Sequence, residues 1–276
     1  MTWTFQRMMN NTKHLTDVQS QEDSRDVEIQ RVGVNGVEVP LIIQRKNEEN
    51  QYVNALARVS VSLPKNYRGA HMSRFIEVLA TYRNKNLLGV DIKGFLTDVC
   101  RELDAKSAYV KFDFRYLIDK KAPVTDNKFP VYYPCSFEGT LDGDNYRFIL
   151  GVKVPVTTLC PCSKEISDNS AHNQRTNVKL KVSYDEKDMI WIEDLIELVE
   201  SCASSPVYTL LKRQDEKFVT EAAYNNPKFV EDVLRDLICL LRKDERITFF
   251  EAEVEAQESI HNHNAWAWQK EEKVKE

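Results

Sequence analysis

The sequence predicts an α+β protein of two tandem modules, each with the order strand, strand, helix, helix, strand, strand. Three observations support this prediction. Apolar and polar residues alternate in both halves of the chain, with the period of a half-buried strand. Apolar residues at helical spacing lie between these strands, and turn or cap residues separate the segments. The expected architecture is an antiparallel sheet in each module, with helices on one face.

The turn signal Asp142-Gly143 divides the chain into these two modules. Residues 1–25 are polar and lack periodicity, so we expect a flexible N-terminal arm. The first predicted module covers residues 26–142 and the second covers residues 143–270. The two halves repeat an order of elements without an obvious repeat of sequence.

The first module is predicted to open with two strands, of which the second ends at Pro64 because proline cannot donate a ladder hydrogen bond. Asn35-Gly36 predicts a turn or a bulge inside the first strand, and Ser73 is the expected cap of the first helix. The predicted elements are strands at 27–43 and 53–63, helices carrying 75–79 and 92–103, and strands at 108–116 and 129–141.

The second module follows the same order, except that a long loop at 160–175 separates its first two strands. Asn226-Pro227 is a cap and first-turn pair that predicts the start of the last helix. The charge run from Lys212 to Glu216 is typical of a solvated surface. The predicted elements are strands at 146–156 and 178–184, helices at 192–199 and 229–241, a strand at 247–254 and an edge strand at Trp266 and Trp268.

The composition excludes several classes of protein. The 276 residues are 42% hydrophobic and 29% charged, which is ordinary for a globular chain. A net charge of −5 argues against nucleic acid as the main partner, because phosphate-binding surfaces are usually basic. Apolar runs fall short of the ~18 residues of a membrane span, and no secretory signal is expected. Six cysteines in so long a chain do not suggest a disulfide framework, so we expect a cytoplasmic protein.

The most informative motif is the loop at 160–175, which contains Cys160, Cys162 and His172. Cysteine thiolate and neutral imidazole are the usual ligands of zinc and similar metals. The sequence has no second Cys-x-x-Cys pair to close a structural site, which favours an open site with a position for substrate or water. Position alone does not decide between the two cysteines, and we favour Cys160. The pair could also be a redox couple or two idle thiols.

His261 and His263 follow the last internal strand of the prediction and flank one asparagine. Side chains two residues apart on an extended segment point to the same side, so both rings could face one cavity. A polar surface loop is the alternative. The 160–175 loop favours a metal site, because it supplies partners for the two rings.

Several charged residues are candidates for binding an anionic or planar ligand. Lys164 and Arg175 bracket the expected metal site, and the segment from Arg68 to Arg74 joins a strand to a helix start and is rich in anion-binding groups. Glu231 and Asp232 either complement the helix macrodipole or bind a ring with neighbouring N–H donors, such as a guanine edge. The sequence contains no glycine-rich phosphate loop or dinucleotide fingerprint.

The segment from Leu159 to Ser167, taken with Ala171 to Arg175, resembles the signature of the type B family of GTP cyclohydrolase I. Segments at 65–75, 212–224 and 226–235 match this family in the same order, and the resemblance spans roughly residues 27–268. It implies a tunnelling fold (T-fold) with two modules per chain, assembled as a homotetramer.

The same resemblance implies a divalent metal, zinc or manganese, with iron as a further candidate. The implied ligands are Cys160, His172, Glu216 and His261. Glu231 matches the acid that anchors the guanine or pterin ring.

The implied reaction converts GTP and water to 7,8-dihydroneopterin triphosphate and formate, the first step toward folate, pterin or deazaguanine compounds. The metal would act as a Lewis acid that lowers the pKa of bound water. Cys160 would be catalytic as a ligand, with His263 and His71 as proton shuttles. The candidates for the triphosphate are Lys164, Arg175, Arg74 and Arg213.

Two alternatives to this function are open from the sequence. One is a nitrile reductase of the same fold class, which would act on a deazaguanine with a cysteine nucleophile and a nicotinamide cofactor. The Cys/His/His set argues against it, and metal analysis would separate the two. The other is a non-catalytic protein in which Cys160 and Cys162 only bind a cation. Formate release from GTP would exclude that alternative.

Overall fold

The computed structural model describes residues 17–87, 89–185 and 187–273, which form ten strands and six helices. The strands in chain order are β1 (Ile29–Ile43), β2 (Gln51–Leu63), β3 (Asn86–Leu87), β4 (Ser107–Lys121), β5 (Lys128–Asp142), β6 (Asn145–Leu159), β7 (Asn173–Tyr184), β8 (Ser205–Pro206), β9 (Ile247–Ala256) and β10 (Ala265–Glu272). The helices are α1 (Met72–Thr81), α2 (Gly89–Leu103), α3 (Pro161–Ile166), α4 (Ile192–Cys202), α5 (Arg213–Asn225) and α6 (Val230–Lys243).

The strands form a single sheet in the order β10-β9-β7-β6-β5-β4-β2-β1-β3, and the short β8 pairs with β6. Neighbouring strands are antiparallel apart from β1 and β3, which run parallel. The prediction of a separate sheet in each half is therefore wrong, because the two halves form one sheet. β5 and β6, on either side of the predicted boundary, pair continuously from Cys135 and Val152 to Asp142 and Asn145 and so join the halves.

The core lies between the sheet and the helices. In β4, Phe112, Phe114 and Tyr116 are buried, whereas the alternating Asp113 and Arg115 are exposed on the second face. The helices pack on this sheet: α2 packs on β4 and β5, α4 packs on β6, and α6 packs on β9. This arrangement confirms the predicted α+β class. No helix in the described part of the chain is long and apolar enough to cross a membrane.

The strand register places the functional segments at two ends of the sheet. Through the pairs β2–β4, β4–β5 and β5–β6, Val61 lies level with Tyr146 at the start of β6. β6 then runs to Leu159, about 40 Å away at roughly 3.3 Å per residue. The β2–α1 connection and the segment that starts at Cys160 are therefore at opposite ends of the sheet.

Some elements were not expected from the sequence. β3 and β8 contain two residues each, too few to show a periodicity. α3 lies inside the predicted 160–175 loop, and the last residues of that loop already belong to β7. α5 occupies the charge run for which a solvated surface was predicted. Its buried residues are Asp215 and Ala223, which give no apolar stripe along the helix.

The structure confirms the predicted bulge in β1 and corrects two helix caps. The β1–β2 register shifts at Gly36, whose φ of +79° favours glycine. The N-cap of α1 is His71 instead of Ser73. The N-cap of α6 is Phe229, and Asn226 instead ends α5, its side-chain amide donating to the C-terminal end of α4.

Residues 17–25 belong to the predicted arm and contact the β2–α1 connection. Glu22 forms a β-bridge with Tyr67, and an Asp17 carboxylate oxygen lies 2.9 Å from His71 Nε2. This part of the arm is therefore held against the sheet end that carries His71. Residues 1–16 of the arm lie outside the described residues.

Candidate active site

The predicted metal-binding loop lies where β6, β7 and β9 meet one end of the sheet. The last residue of β6 pairs with the first residue of β7, and Thr176 of β7 pairs with the last residue of β9. The Cys160 N–H donates to the His172 carbonyl oxygen at 3.1 Å. The loop therefore brings Cys160 and His172 side by side, next to the start of the β9–β10 connection.

Cys160 is held at the start of α3, where it is the N-cap and Pro161 occupies the first turn. Proline suits this position because its fixed φ is helical and its missing N–H needs no partner there. The Cys160 Sγ accepts a hydrogen bond from the Ser163 N–H at 3.4 Å. Cys162 is exposed on the same short helix. The geometry therefore favours Cys160 as the thiol with a defined orientation.

His172 is oriented by two residues that sequence reasoning missed. Its Nδ1 lies 3.3 Å from Ser259 Oγ and 4.0 Å from Glu258 Oε2. The Glu258 side chain is 11% exposed, and Oε2 is buried without a hydrogen-bond partner among the described residues. A buried carboxylate oxygen without a partner is costly. The arrangement at His172 is thus suited to a cation or a further proton donor.

Glu258 was missed because its surroundings look ordinary in the sequence. Glu251, Glu253 and Glu255 precede it at alternate positions of β9, so a further acid three residues after Glu255 does not stand out from this acidic stretch. The available signal was its place three residues before His261.

The His261 and His263 rings are stacked, with centroids 5.2 Å apart and planes 11° from parallel. This confirms that the two side chains point to the same side of the segment. Both residues are exposed in the β9–β10 connection. His261 follows the Ser259 contact to His172 by two residues, so the doublet belongs to the same sheet end as Cys160.

Two helix starts each carry an acidic pair, and in both pairs the two carboxylates have different surroundings. In α5, Asp215 is fully buried and accepts hydrogen bonds from Lys212 N–H at 2.9 Å and from Thr125 Oγ1 at 2.6 Å. In α6, Asp232 accepts from the Phe229 N–H at 3.0 Å and completes the cap. The neighbouring Glu216 and Glu231 are exposed, and they are therefore the acids that remain available to a ligand.

The α6 start is attached directly to the Cys160 segment. The Lys228 N–H donates to the Leu159 carbonyl oxygen at 3.0 Å, and the first turn of α6 with Glu231 follows two residues later. α5 reaches the same place from the other side, since the Lys164 ammonium donates to the Tyr224 carbonyl oxygen at 2.6 Å. Glu216 lies about 12 Å from Tyr224 along the helix, at 1.5 Å per residue.

The predicted phosphate-binding cations differ in their exposure and in the contacts of their charged groups. Lys164 is engaged, because its ammonium also lies 4.3 Å from the centre of the Tyr224 ring. Arg213 is exposed at the first position of α5. Arg175 is exposed on β7 and borders two adjoining clefts of about 300 and 230 Å³. Arg175 therefore lies beside a cavity at the same sheet end as Cys160.

Within one chain, His71 and Arg74 lie at the opposite sheet end from Cys160, so their predicted roles stay predictions. They border a separate cleft of about 310 Å³ at the opposite sheet end. His71 contacts Asp17, and the Arg74 guanidinium donates to the Glu102 carbonyl oxygen at 3.0 Å. A role for them at Cys160 would need the chain of a neighbouring subunit.

The predicted metal ligands are only partly assembled. Within residues 17–87, 89–185 and 187–273, no three His, Cys, Asp or Glu side chains form a group that could hold a metal ion. Cys160, His172 and His261 share one sheet end, whereas Glu216 lies further along α5. The donor types still suit a zinc-like metal, and the buried oxygen of Glu258 beside His172 is consistent with a positive charge there.

The fold resembles that of solved uricases. Uricase from Arthrobacter globiformis superposes with a TM-score of 0.55 at 6% sequence identity, over 88% of this chain and 93% of that one. Urate oxidase from Bacillus sp. TB-90 gives 0.53 at 8% identity, over 89% and 100%. With its single, mostly antiparallel sheet, the chain therefore belongs to the same α+β fold class as these uricases.

Sequence comparison identifies the family within that class. The family model described as type I GTP cyclohydrolase FolE2 matches residues 15–267. Proteins named GTP cyclohydrolase FolE2 are 49% identical in Geotalea uraniireducens, over 92% of both chains, and 48% identical in Thermosipho africanus, over 92% of this chain and 96% of the relative. The chain belongs to the FolE2 family of type I GTP cyclohydrolases.

Proposed function

We propose that the protein is a metal-dependent GTP cyclohydrolase that converts GTP and water to 7,8-dihydroneopterin triphosphate and formate. Membership of the FolE2 family over most of the chain is the observation that carries this proposal. The pairing of Cys160 with His172 supports it, because thiolate and imidazole are suitable donors for a catalytic metal.

The proposed metal ligands are Cys160, His172, Glu216 and His261, with zinc or manganese as the metal and iron as a further candidate. When bound, such a metal supplies Lewis acidity and lowers the pKa of a coordinated water. The donor chemistry of the four residues fits this role. Glu216, the fourth proposed ligand, is exposed about 12 Å along α5 from Tyr224.

The chain's own residues would orient the substrate and move protons. Glu231 is proposed to accept N–H donors of the guanine edge, since Asp232 beside it is engaged in the helix cap. His263 and His71 are proposed to transfer protons near neutral pH. The proposed triphosphate ligands are Lys164, Arg175, Arg213 and Arg74.

We further propose a cytoplasmic homotetramer whose chains each contain two T-fold modules, at 26–142 and 143–270, after an arm at 1–25. The distance of His71 and Arg74 from Cys160 supports an assembly, because a second copy is needed for these residues to reach the site. The order of elements, similar in the two halves, supports the division into modules.

The test is turnover of GTP by protein freed of metal and then loaded anaerobically with zinc, manganese or iron. We expect metal-dependent release of formate together with a product that becomes fluorescent on oxidation. Protein that binds metal and leaves GTP unchanged would contradict the proposed function and favour a non-catalytic metal protein.

Substitutions distinguish the proposed metal-binding residues from the residue proposed to bind the guanine ring. Cys160→Ala and His261→Ala should lose metal and at least about 100-fold in activity together, whereas Cys162→Ala, the matched control on α3, should retain both. Glu231→Ala should keep the metal and lose affinity for GTP. Normal GTP affinity in Glu231→Ala would exclude this residue as the anchor of the ring.

A further inference from the structure

The second face of the sheet carries a cleft that begins next to the metal-binding loop. Its near part, lined by Asn173 and Arg175, adjoins α5. Its far part is lined by Arg175, Asn177 and Lys153. The two parts share Arg175, Val207 and Tyr208. A continuous groove therefore leads from the residue after His172 along β6 and β7.

The strand register gives the spacing of the two cations in this groove. Thr157 is the pairing partner of Arg175, and Lys153 lies four residues earlier on the same strand. Arg175 and Lys153 are therefore about 13 Å apart along the strands, at roughly 3.3 Å per residue. Both are long, flexible side chains on the same face, with Arg175 nearer to His172 and Lys153 farther from it.

Lys153 and Arg175 differ from the neighbouring Lys179 in their contacts with acidic residues. Within the described part of the chain, the side chains of Lys153 and Arg175 make no hydrogen bond or ion pair. Lys179, directly opposite Lys153 in the β6–β7 register, is instead paired with Glu253 at 2.7 Å. Lys153 is also half-buried, and a partly desolvated cation without a partner favours an anionic ligand.

We propose that Lys153, a residue outside the family signature, binds the terminal phosphate of the substrate while Arg175 binds the phosphates nearer the ribose. The proposal rests on the proposed function. It adds one phosphate-binding residue to the site and gives the direction in which the triphosphate extends. The guanine ring lies at the end with Cys160 and His172, and the triphosphate extends along the groove toward Lys153. Charge-assisted hydrogen bonds to phosphate oxygens are the interaction that both cations supply.

The test compares Lys153→Met with Lys179→Met, which removes a paired cation from the same row of the sheet. Lys153→Met should raise the KM for GTP by about 10- to 100-fold, as expected for a lost hydrogen bond between charged groups, and leave kcat nearly unchanged. Its affinity for GDP should change much less. Lys153→Arg should restore the KM, and Lys179→Met should behave as the wild type.

Titration of inorganic tripolyphosphate by calorimetry provides a readout without turnover. Lys153→Met should weaken this binding by a similar factor, with an unchanged melting temperature. Wild-type values of both the KM for GTP and the tripolyphosphate affinity in Lys153→Met would overturn the proposal. Failure of the wild type to release formate from GTP would instead overturn the proposed function, and the calorimetric comparison would still decide whether Lys153 binds polyphosphate.

Discussion

Asp215 and Glu216 are adjacent acids whose surroundings give them different roles. Burial raises the pKa of the Asp215 carboxyl, but hydrogen bonds from Thr125, Lys212 and Val124 outweigh burial and leave that pKa below its usual value. These bonds tie the start of α5 to the β4–β5 connection. Glu216 is exposed one residue later. Asp215 is therefore a structural carboxylate, whereas the exposed Glu216 is accessible to a ligand.

Exchange of each acid for its amide should separate these roles. Asp215→Asn should lower the melting temperature by several degrees, because an amide N–H₂ faces donors that need an acceptor. Glu216→Gln should keep the melting temperature of the metal-free protein, and it should lose the metal and at least about 100-fold in activity. Thermal denaturation and metal analysis of both variants provide the measurements. Equal melting temperatures for Asp215→Asn and the wild type at pH 7 would contradict the structural role.

The lowered pKa of Asp215 also sets the direction of a pH dependence. Its contribution to stability is complete above the unfolded pKa, roughly 3.9, and is lost as the pH falls through the folded value. The difference in melting temperature between the wild type and Asp215→Asn should therefore be constant near neutrality and shrink below about pH 4.

At the scale of elements, the contact of α2 with β5 depends on a glycine. A Cβ on Gly139 would lie 2.4 Å from Ile92 Cγ2 and 3.0 Å from Leu96 Cδ1, so the helix packs directly on the strand backbone. Gly94 of α2 has more space, since a Cβ there would have Tyr82 Oη at 3.8 Å. The same substitution should therefore have opposite effects at the two positions.

Gly139→Ala should destabilise the protein by about 1–3 kcal/mol, because the added methyl overpacks the α2–β5 contact. Gly94→Ala should stabilise it by about 0.5–1 kcal/mol, because alanine loses less backbone entropy in a helix. Chemical denaturation of the two variants checks both signs. A stabilising Gly139→Ala would show that α2 moves away from β5 at little cost.

At the scale of the whole molecule, buried polar contacts connect the two halves beyond the shared sheet. The Lys120 ammonium of β4 pairs with the Glu200 carboxylate of α4, and both side chains are 13% exposed. The Tyr133 hydroxyl of β5 donates to the same carboxylate at 3.0 Å. Burial lowers the pKa of Lys120, and Glu200 opposes this effect. The pair therefore depends on both partners remaining in place.

Glu200→Leu should destabilise the protein by about 3–5 kcal/mol, because it leaves Lys120 buried without a partner. The double variant Lys120→Met/Glu200→Leu should recover much of that loss, since no unpaired charge remains. Calorimetry should show one transition in each case, because the halves share a sheet and unfold together. Two separate transitions would contradict this cooperativity.

Particular elements show how much of the fold could be predicted from the sequence. β2 and β4 alternate over most of their length and were predicted, since a half-buried strand leaves its period in the sequence. α5 was missed because a buried carboxylate, instead of an apolar stripe, attaches it to the protein. Cys160 and His172 were predicted from their chemical types, whereas Glu258 was not, because its contact with His172 joins segments distant in sequence.

The sequence by itself determined the order of the main strands and helices, the kind of donors at the site and the family signature, because periodicity and residue type are local properties. Only the tertiary structure decided that the halves form one sheet, that Asp215 is buried while Glu216 is exposed, and that His71 and Arg74 lie at the opposite end of the sheet from Cys160 within one chain. The physical reason is that these features depend on which strands pair and in what register, and a local pattern does not specify either one.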